Sequence, residues 1–479
     1  MIIKVKFLIG IFCVAIGALA CVALNAKWNS THIEDSQETV PWRIQFFSQS
    51  VWPEAREEKE TLVTFVESEG IGEIAVQIQW PETPRYSDKA PVVVYAPTFF
   101  TSDSGSFDSL RGLTNLGFIQ VSFLYPGQEG LEGIKSEGEN DYGGADSIQA
   151  FRDVLRFASG ELIDVNGRRL DELSSIVPDY DNVGIFAFSH PGISSTAVLG
   201  TYGESLPSIS YFVGRENPTE DSISAVEIGH FESDEIKPKR GDWPEYNPFY
   251  NYPEDYSPTN LDVDYSTVRW DFQADRPYFE DYLLGDKTPH LFGKRCYSAA
   301  LTQALLDNGI FTLESWPEDL ATPDEAQTWW AERESIPYYP LLKESMPDFK
   351  VMLVFGEEDH IQSAIDKPHI HQAYDGFHET AGLWVRLNPD VAYVALLSEA
   401  MAGEYVEHDA NTEPEDWSTI ESWALPHSVV QSTTLVVNPA EAGDFSSLAA
   451  LAEMADRTHM KNWDEDLRDI LVSTEILWD

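Results

Sequence analysis

The 479-residue chain carries 81 acidic and 31 basic residues, a formal net charge of −50. That balance excludes a general affinity for nucleic acid or anionic lipid, because phosphate binding needs clustered Lys and Arg. At 43% hydrophobic and 12% aromatic the chain can bury a sizeable core, and its length exceeds one ordinary domain.

Lys4 and Lys6 precede an apolar run from Phe7 to Leu24, and Ala18-Leu19-Ala20 resembles a small-residue cleavage site. Residues 1–26 therefore read as a signal peptide or an uncleaved N-terminal anchor. The expectation is an extracytoplasmic protein, secreted or held at the cell surface or in the periplasm. Any membrane contact would run through that segment alone, since no later segment is long and apolar enough to span a bilayer. Cys13 and Cys21 lie inside it, which leaves Cys296 by itself and excludes a disulfide framework.

Residues 27–58 mix polar and aromatic side chains and read as an irregular lead-in. Residues 61–66 and 73–80 then alternate by twos around Gly70 and Gly72, which predicts a hairpin. Residues 91–96 and 118–124 are continuous apolar runs, as in strands buried on both faces. A helix is predicted over 110–116, stopped by Gly117, and another over 145–158, where Ile148, Phe151, Val154 and Leu155 share a face. Residues 183–188 and 209–213 read as further strands. Alternating units of this kind predict a mostly parallel, twisted α/β sheet covered by helices on both faces.

The pattern breaks at Arg215. Residues 215–348 are rich in Pro, Asp, Tyr and Trp, with one clear helix near 298–306, and read as an inserted cap or lid. Its rings, Trp270, Trp316, Trp329 and Trp330 among them, would either line an apolar or sugar-stacking pocket or pack a small domain short of aliphatics. Residues 350–356 resume the buried-strand pattern. A helix near 368–380, a strand over 383–387 and closing helices at 448–455 and 464–471 complete the reading. The organisation is thus an N-terminal targeting segment, a core in two parts (27–214 and 349–479), and an insertion between them.

The sharpest local signal is the run VGIFAFSHPG at 183–192. An apolar strand rises into Ser189, turn-forming residues follow, and a segment able to start a helix comes next. This is the layout of a nucleophile elbow, which lifts a serine hydroxyl clear of a sheet and turns the next backbone N–H groups toward a developing oxyanion. The usual pattern is G-x-S-x-G. Here Ala187 and Pro191 hold the two glycine positions, and Gly192 follows directly.

With that elbow, the strand ending in Tyr95-Ala96-Pro97-Thr98-Phe99-Phe100 and the run Phe355-Gly356-Glu357-Glu358-Asp359-His360, the chain resembles the α/β-hydrolase superfamily. Its dienelactone-hydrolase and prolyl-oligopeptidase-like branches are the most similar. The resemblance implies a Ser-His-Asp triad cleaving an ester or amide of a small-molecule or peptide substrate through an acyl-enzyme. It implies Ser189 as nucleophile and Asp359, after the resumed strand, as the acid orienting the base. The base should follow the strand ending near Leu387. His408 is the first candidate there, with His427, His378 and His371 as alternatives. The oxyanion donors would be the backbone N–H groups of His190 and Phe99, since Pro97 has none to give. No cofactor is needed.

Two other readings compete. Asp359, His360, Asp366, His369, His371, Asp375 and His378 crowd one stretch, and His369 and His371 would point the same way if extended, a start for a metal-dependent hydrolase. Alternatively the fold is catalytically silent and the aromatic insertion makes it a surface binder.

The acidic residues are dispersed, not gathered in a tail, which suits a protein at high salt, where screening removes self-repulsion. Raising KCl from about 0.1 to about 1 M shortens the screening length from roughly 10 to roughly 3 Å. The melting temperature is therefore expected to rise across that range; a flat or falling melting temperature contradicts the reading.

Overall fold

The computed structural model describes residues 60–99, 107–110, 112–130, 133–219, 265–280, 282–283, 290–291, 293–354, 368–390, 393 and 439–463. In chain order these form β1 (Glu60–Ser68), β2 (Gly72–Trp80), β3 (Ala90–Ala96), β4 (Ile119–Phe123), α1 (Ala145–Ala158), β5 (Pro178–Phe188), α2 (Pro191–Tyr202) and β6 (Ile209–Arg215). The segment between β6 and the next core strand contributes β7 (Val268–Asp271), β8 (Arg276–Phe279), β9 (Tyr282–Leu283), β10 (His290–Leu291), β11 (Lys294–Arg295), α3 (Ala299–Asp307), α4 (Pro323–Ala331) and α5 (Tyr339–Ser345). The chain then returns to β12 (Lys350–Val354), α6 (Pro368–Asp375), β13 (Trp384–Leu387) and α7 (Pro439–Met460).

Eight strands make one sheet in the order β1-β2-β4-β3-β5-β6-β12-β13. β1 and β2 are the expected hairpin, and β2 lies antiparallel to β4. Every later neighbour is parallel, because a helical crossover returns the chain to the same end of the sheet. Successive side chains of a strand face opposite ways. Val183, Ile185 and Ala187 of β5 accordingly enter the core with Phe151 of α1 and Val198 of α2, while Asn182 donates to the carbonyl of Ala455 in α7 at 2.8 Å. Helices thus cover both faces, as the continuous apolar strands predict.

Several details differ from the sequence reading. The 110–116 segment is only a 3-10 turn at Thr114–Leu116, although Gly117 stops it at φ 83° as foreseen. The segment predicted at 368–380 is α6 followed by a π-helical turn over Gly376–Thr380. α7 is far longer than 448–455; its polar residues Glu453, Asp456 and Arg457 break the apolar pattern yet are buried. The insertion holds two further helices, α4 and α5. α4 starts with a capping box in which Thr322 and Glu325 bond reciprocally. Among the described residues, several of the insertion's ring side chains pack inward. Trp270, Phe279, Phe311 and Trp316 form one small core with Leu301 and Leu305, and Trp329 and Trp330 another with Leu291 and Cys296. Burial pushes the Cys296 thiol up to about 12, which keeps it protonated and unreactive.

The buried polar groups of α7 bind it to the rest of the sheet. Asp456 accepts two bonds from the Arg85 guanidinium, both 2.7 Å, one from Tyr86 at 3.0 Å and one from Tyr393 at 2.6 Å. Burial, followed by the Asp456 charge, pushes both phenols well above their usual range, so they stay protonated and donate. A buried ion pair that loses one partner leaves an uncompensated charge. Asp456→Ala is therefore expected to destabilise the protein by about 3–5 kcal/mol. Urea denaturation of the two proteins measures it, and a loss under about 1 kcal/mol would contradict the assignment.

Candidate active site

Three strand ends converge at one end of the sheet. Ala96 of β3 pairs with Ala187 of β5, and Phe188 of β5 pairs with Arg215 of β6. The residues after β3, β5 and β6 are thereby brought side by side. The connection leaving β3 runs to β4 on one side, and the connection leaving β5 runs to β6 on the other. The carboxyl ends of β3 and β5 therefore flank the topological switch point, where open α/β sheets form their ligand crevice.

Ser189 stands at that point with φ 64°, one of six non-glycine residues at positive φ among the described residues. For an L-residue this costs roughly 1–2 kcal/mol. Its N–H still belongs to the sheet, donating to the Arg215 carbonyl at 2.9 Å. His190 is already helical at φ −48° and ψ −36°, and Pro191 occupies the first turn of α2, where no N–H is required. Strand becomes helix within one residue, as the sequence run predicts. The Ser189 hydroxyl lies 3.2 Å from His190 Nδ1, and the serine is partly accessible to solvent.

Asn217, two residues beyond β6, grips the turn. Its side-chain amide donates to the Ser189 carbonyl at 2.6 Å and to the Ala187 carbonyl at 3.3 Å. It fits because two residues lack a side chain. A Cβ on Gly192 would lie 2.3 Å from Asn217 Cγ, and one on Gly214 would lie 2.2 Å from Asn217 Oδ1. The glycine that the sequence places one position late, at 192, thus makes room for Asn217. Nothing in the sequence marks Asn217, which stands where the text turns Pro- and acid-rich.

The loop after β3 is also tied down. The Thr98 N–H donates to Asp108 at 3.2 Å, so it is committed within the protein, and the Thr98 carbonyl accepts from Gln128 at 2.9 Å. Burial pushes the Asp108 carboxyl up, against the pull of the Thr98 N–H. Phe99, the preferred second oxyanion donor, has a buried ring packed against Gly143 and edge-on to Tyr125. The Arg333 side chain fastens the insertion nearby, donating to the carbonyls of Asp141 and Tyr142 at 2.6 and 2.8 Å while stacking on Trp329 at 3.8 Å.

Of the other predicted site residues, Asp359, His408 and His427 lie outside the described residues, as do His360 and Asp366. His369 and His371 fall in α6, not in an extended segment. A two-residue step turns about 200° around a helix, so the two positions diverge. His378 stacks on Tyr374 and contacts Glu379 at 3.1 Å. Among the described residues no group of three His, Cys, Asp or Glu side chains is placed to hold a metal, and no helix is long and apolar enough to cross a membrane.

No protein-family model and no curated protein matches the chain. Among solved structures it is similar to an acylaminoacyl peptidase of Pyrococcus horikoshii, with 10% identity over 87% of this chain and a TM-score of 0.39. The chain spans less than half of that peptidase, 45% of its length. It is also similar to dipeptidyl peptidase 4 of Porphyromonas gingivalis, with 10% identity over 69% of this chain and 32% of that one, and a TM-score of 0.32. An esterase of Pyrobaculum calidifontis gives 12% identity over 75% of this chain and 82% of that one, with a TM-score of 0.31. The chain's own strand order, its antiparallel second strand and the serine turn after β5 make the architecture an α/β-hydrolase fold with a large insertion between β6 and β12.

The left-handed serine has an energetic consequence. Glycine reaches positive φ without steric cost. Ser189→Gly is therefore expected to raise unfolding free energy by about 1 kcal/mol, since relief of the left-handed strain exceeds the added chain entropy. Denaturant unfolding checks it, and a loss of stability would mean the turn is not strained.

Proposed function

We propose that the protein is a serine hydrolase acting on an ester or amide through Ser189. The observation that carries this reading is the Ser189 turn itself, at φ 64°, where a strand end meets a helix N-terminus. The first N–H groups of a helix have no acceptor within it and favour negative charge. His190 N–H opens α2 directly after the nucleophile, and the Phe99 N–H belongs to the loop that the β3–β5 register sets beside it.

In the proposed reaction the Ser189 Oγ–H bond breaks as Oγ bonds the substrate carbonyl carbon. The carbonyl π pair moves onto oxygen, held by the His190 and Phe99 N–H groups. Collapse of that adduct expels the alcohol or amine with the proton, leaving an acyl-serine that water then cleaves by the same steps. The proton is carried by a histidine oriented by an acid. His408 and Asp359 hold those roles in the reading, and His190 Nδ1 lies within hydrogen-bond distance of the Ser189 hydroxyl at rest. Export would put this chemistry outside the cytoplasm. A fluorophosphonate probe is expected to label the protein covalently, and Ser189→Ala to abolish labelling. A wild-type protein that stays unlabelled, or an alanine variant that is labelled, rejects the reading.

A further inference from the structure

The clasp made by Asn217 acts on more than the serine. A peptide unit is planar and almost always trans, so the carbonyl of one residue and the N–H of the next point in opposite directions. The Ser189 carbonyl and the His190 N–H belong to one such unit. Whatever holds the carbonyl therefore aims the N–H.

Two donors hold it. The Gly192 N–H reaches the Ser189 carbonyl at 2.9 Å along the helix, and the Asn217 amide reaches it at 2.6 Å from the end of β6. The second bond of Asn217, to Ala187 at 3.3 Å, ties the same side chain to the strand before the turn. The amide spans the left-handed residue from both sides.

Its orientation is fixed by chemistry. If the amide were turned over, its oxygen would face two carbonyl oxygens, so the nitrogen must point toward Ala187 and Ser189. The oxygen then points toward Gly214, where it is buried and accepts no hydrogen bond among the described residues. Burying an unsatisfied oxygen costs about 1–3 kcal/mol, so the side chain is tolerated at the expense of stability. A leucine of the same length would avoid that cost but forfeit both donated bonds at the turn. Such a residue is expected where it serves the site more than the fold.

We propose that Asn217 is a positioning residue for the oxyanion hole. By gripping the Ser189 carbonyl between Gly192 and Gly214, it points the His190 N–H into the crevice. It also polarises that peptide, which strengthens the N–H as a donor. The proposal rests on the serine-hydrolase reading and adds a residue to it.

The experiment compares wild type, Asn217→Asp and Asn217→Ala. The aspartate keeps the shape but replaces the donor with an oxygen, and the alanine removes the donor without adding charge. Hydrolysis of p-nitrophenyl acetate gives kcat and KM. Inhibition by an aryl trifluoromethyl ketone reads the hole, because serine adds to it to form a stable oxyanion. Circular dichroism and thermal melting confirm folding, and the alanine variant carries the test if the aspartate does not fold.

In folded variants kcat is expected to fall about 100-fold, the scale of losing one oxyanion donor, with KM changed less than about threefold. The ketone inhibition constant should rise by the same factor as kcat falls. A purely structural residue would lower the melting temperature and leave kcat and the inhibition constant as in wild type. That result overturns the proposal, as does a rise in KM with kcat unchanged. Both leave Ser189 labelling by the fluorophosphonate intact. A wild-type protein that fails to label removes the serine-hydrolase reading and this proposal together.

Discussion

One residue in an unfavourable conformation organises this end of the molecule. Ser189 must be left-handed for β5 to become α2 within a single step, and an L-residue resists that by roughly 1–2 kcal/mol. Such a conformation persists only where its neighbours over-determine it. Here the serine N–H is held by the carbonyl of Arg215, the serine carbonyl is held by Gly192 and Asn217, and the strand before it is buried on both faces. The parallel sheet is thus the anvil on which the turn is bent. Without β6 alongside β5 there would be neither the Arg215 carbonyl nor the Asn217 amide to keep it there.

The same constraint explains how the elbow tolerates its unusual residues. Glycines flank a serine turn to give the backbone room. Alanine at 187 needs little more space, and proline at 191 lacks only an N–H that the first helical turn does not use. Room is needed instead for the Asn217 side chain, and Gly192 and Gly214 provide it. The requirement for small residues has moved with the object that fills the space.

A second organising feature lies toward the opposite face of the sheet. Most acidic residues of this −50 chain can disperse their charge into solvent, yet Asp456 and Glu453 are fully buried. They are accommodated because each meets arginine. Asp456 is met by Arg85, and Glu453 by Arg457 at 2.9 Å and Arg386 at 3.5 Å. With only 31 basic residues, the chain uses several of them to fix α7 against the sheet that carries the serine turn. Removing a charge from this cluster costs more than removing one from the surface, where exposed pairs are worth about 0–1 kcal/mol.

What the sequence made legible follows from the range of the forces involved. β1 to β6 could be read because alternation and apolar runs are local consequences of facing a core, and the Ser189 turn because strand, serine and helix start are contiguous. α7 continues past the apolar pattern at 448–455, and Glu453, Asp456 and Arg457 look like surface residues until their partners, hundreds of residues away in the case of Arg85, are brought to them. The aromatic residues of the insertion gave a composition but no pairing, and ring-on-ring packing settles Trp270, Trp329 and Trp330 as core. Asn217 is the extreme case. Its role depends on a carbonyl 28 residues earlier and on the absence of two side chains, and none of the three has a local signature. The serine turn announces itself through contiguous residues; the side chain that holds it is found only when the sheet has been folded.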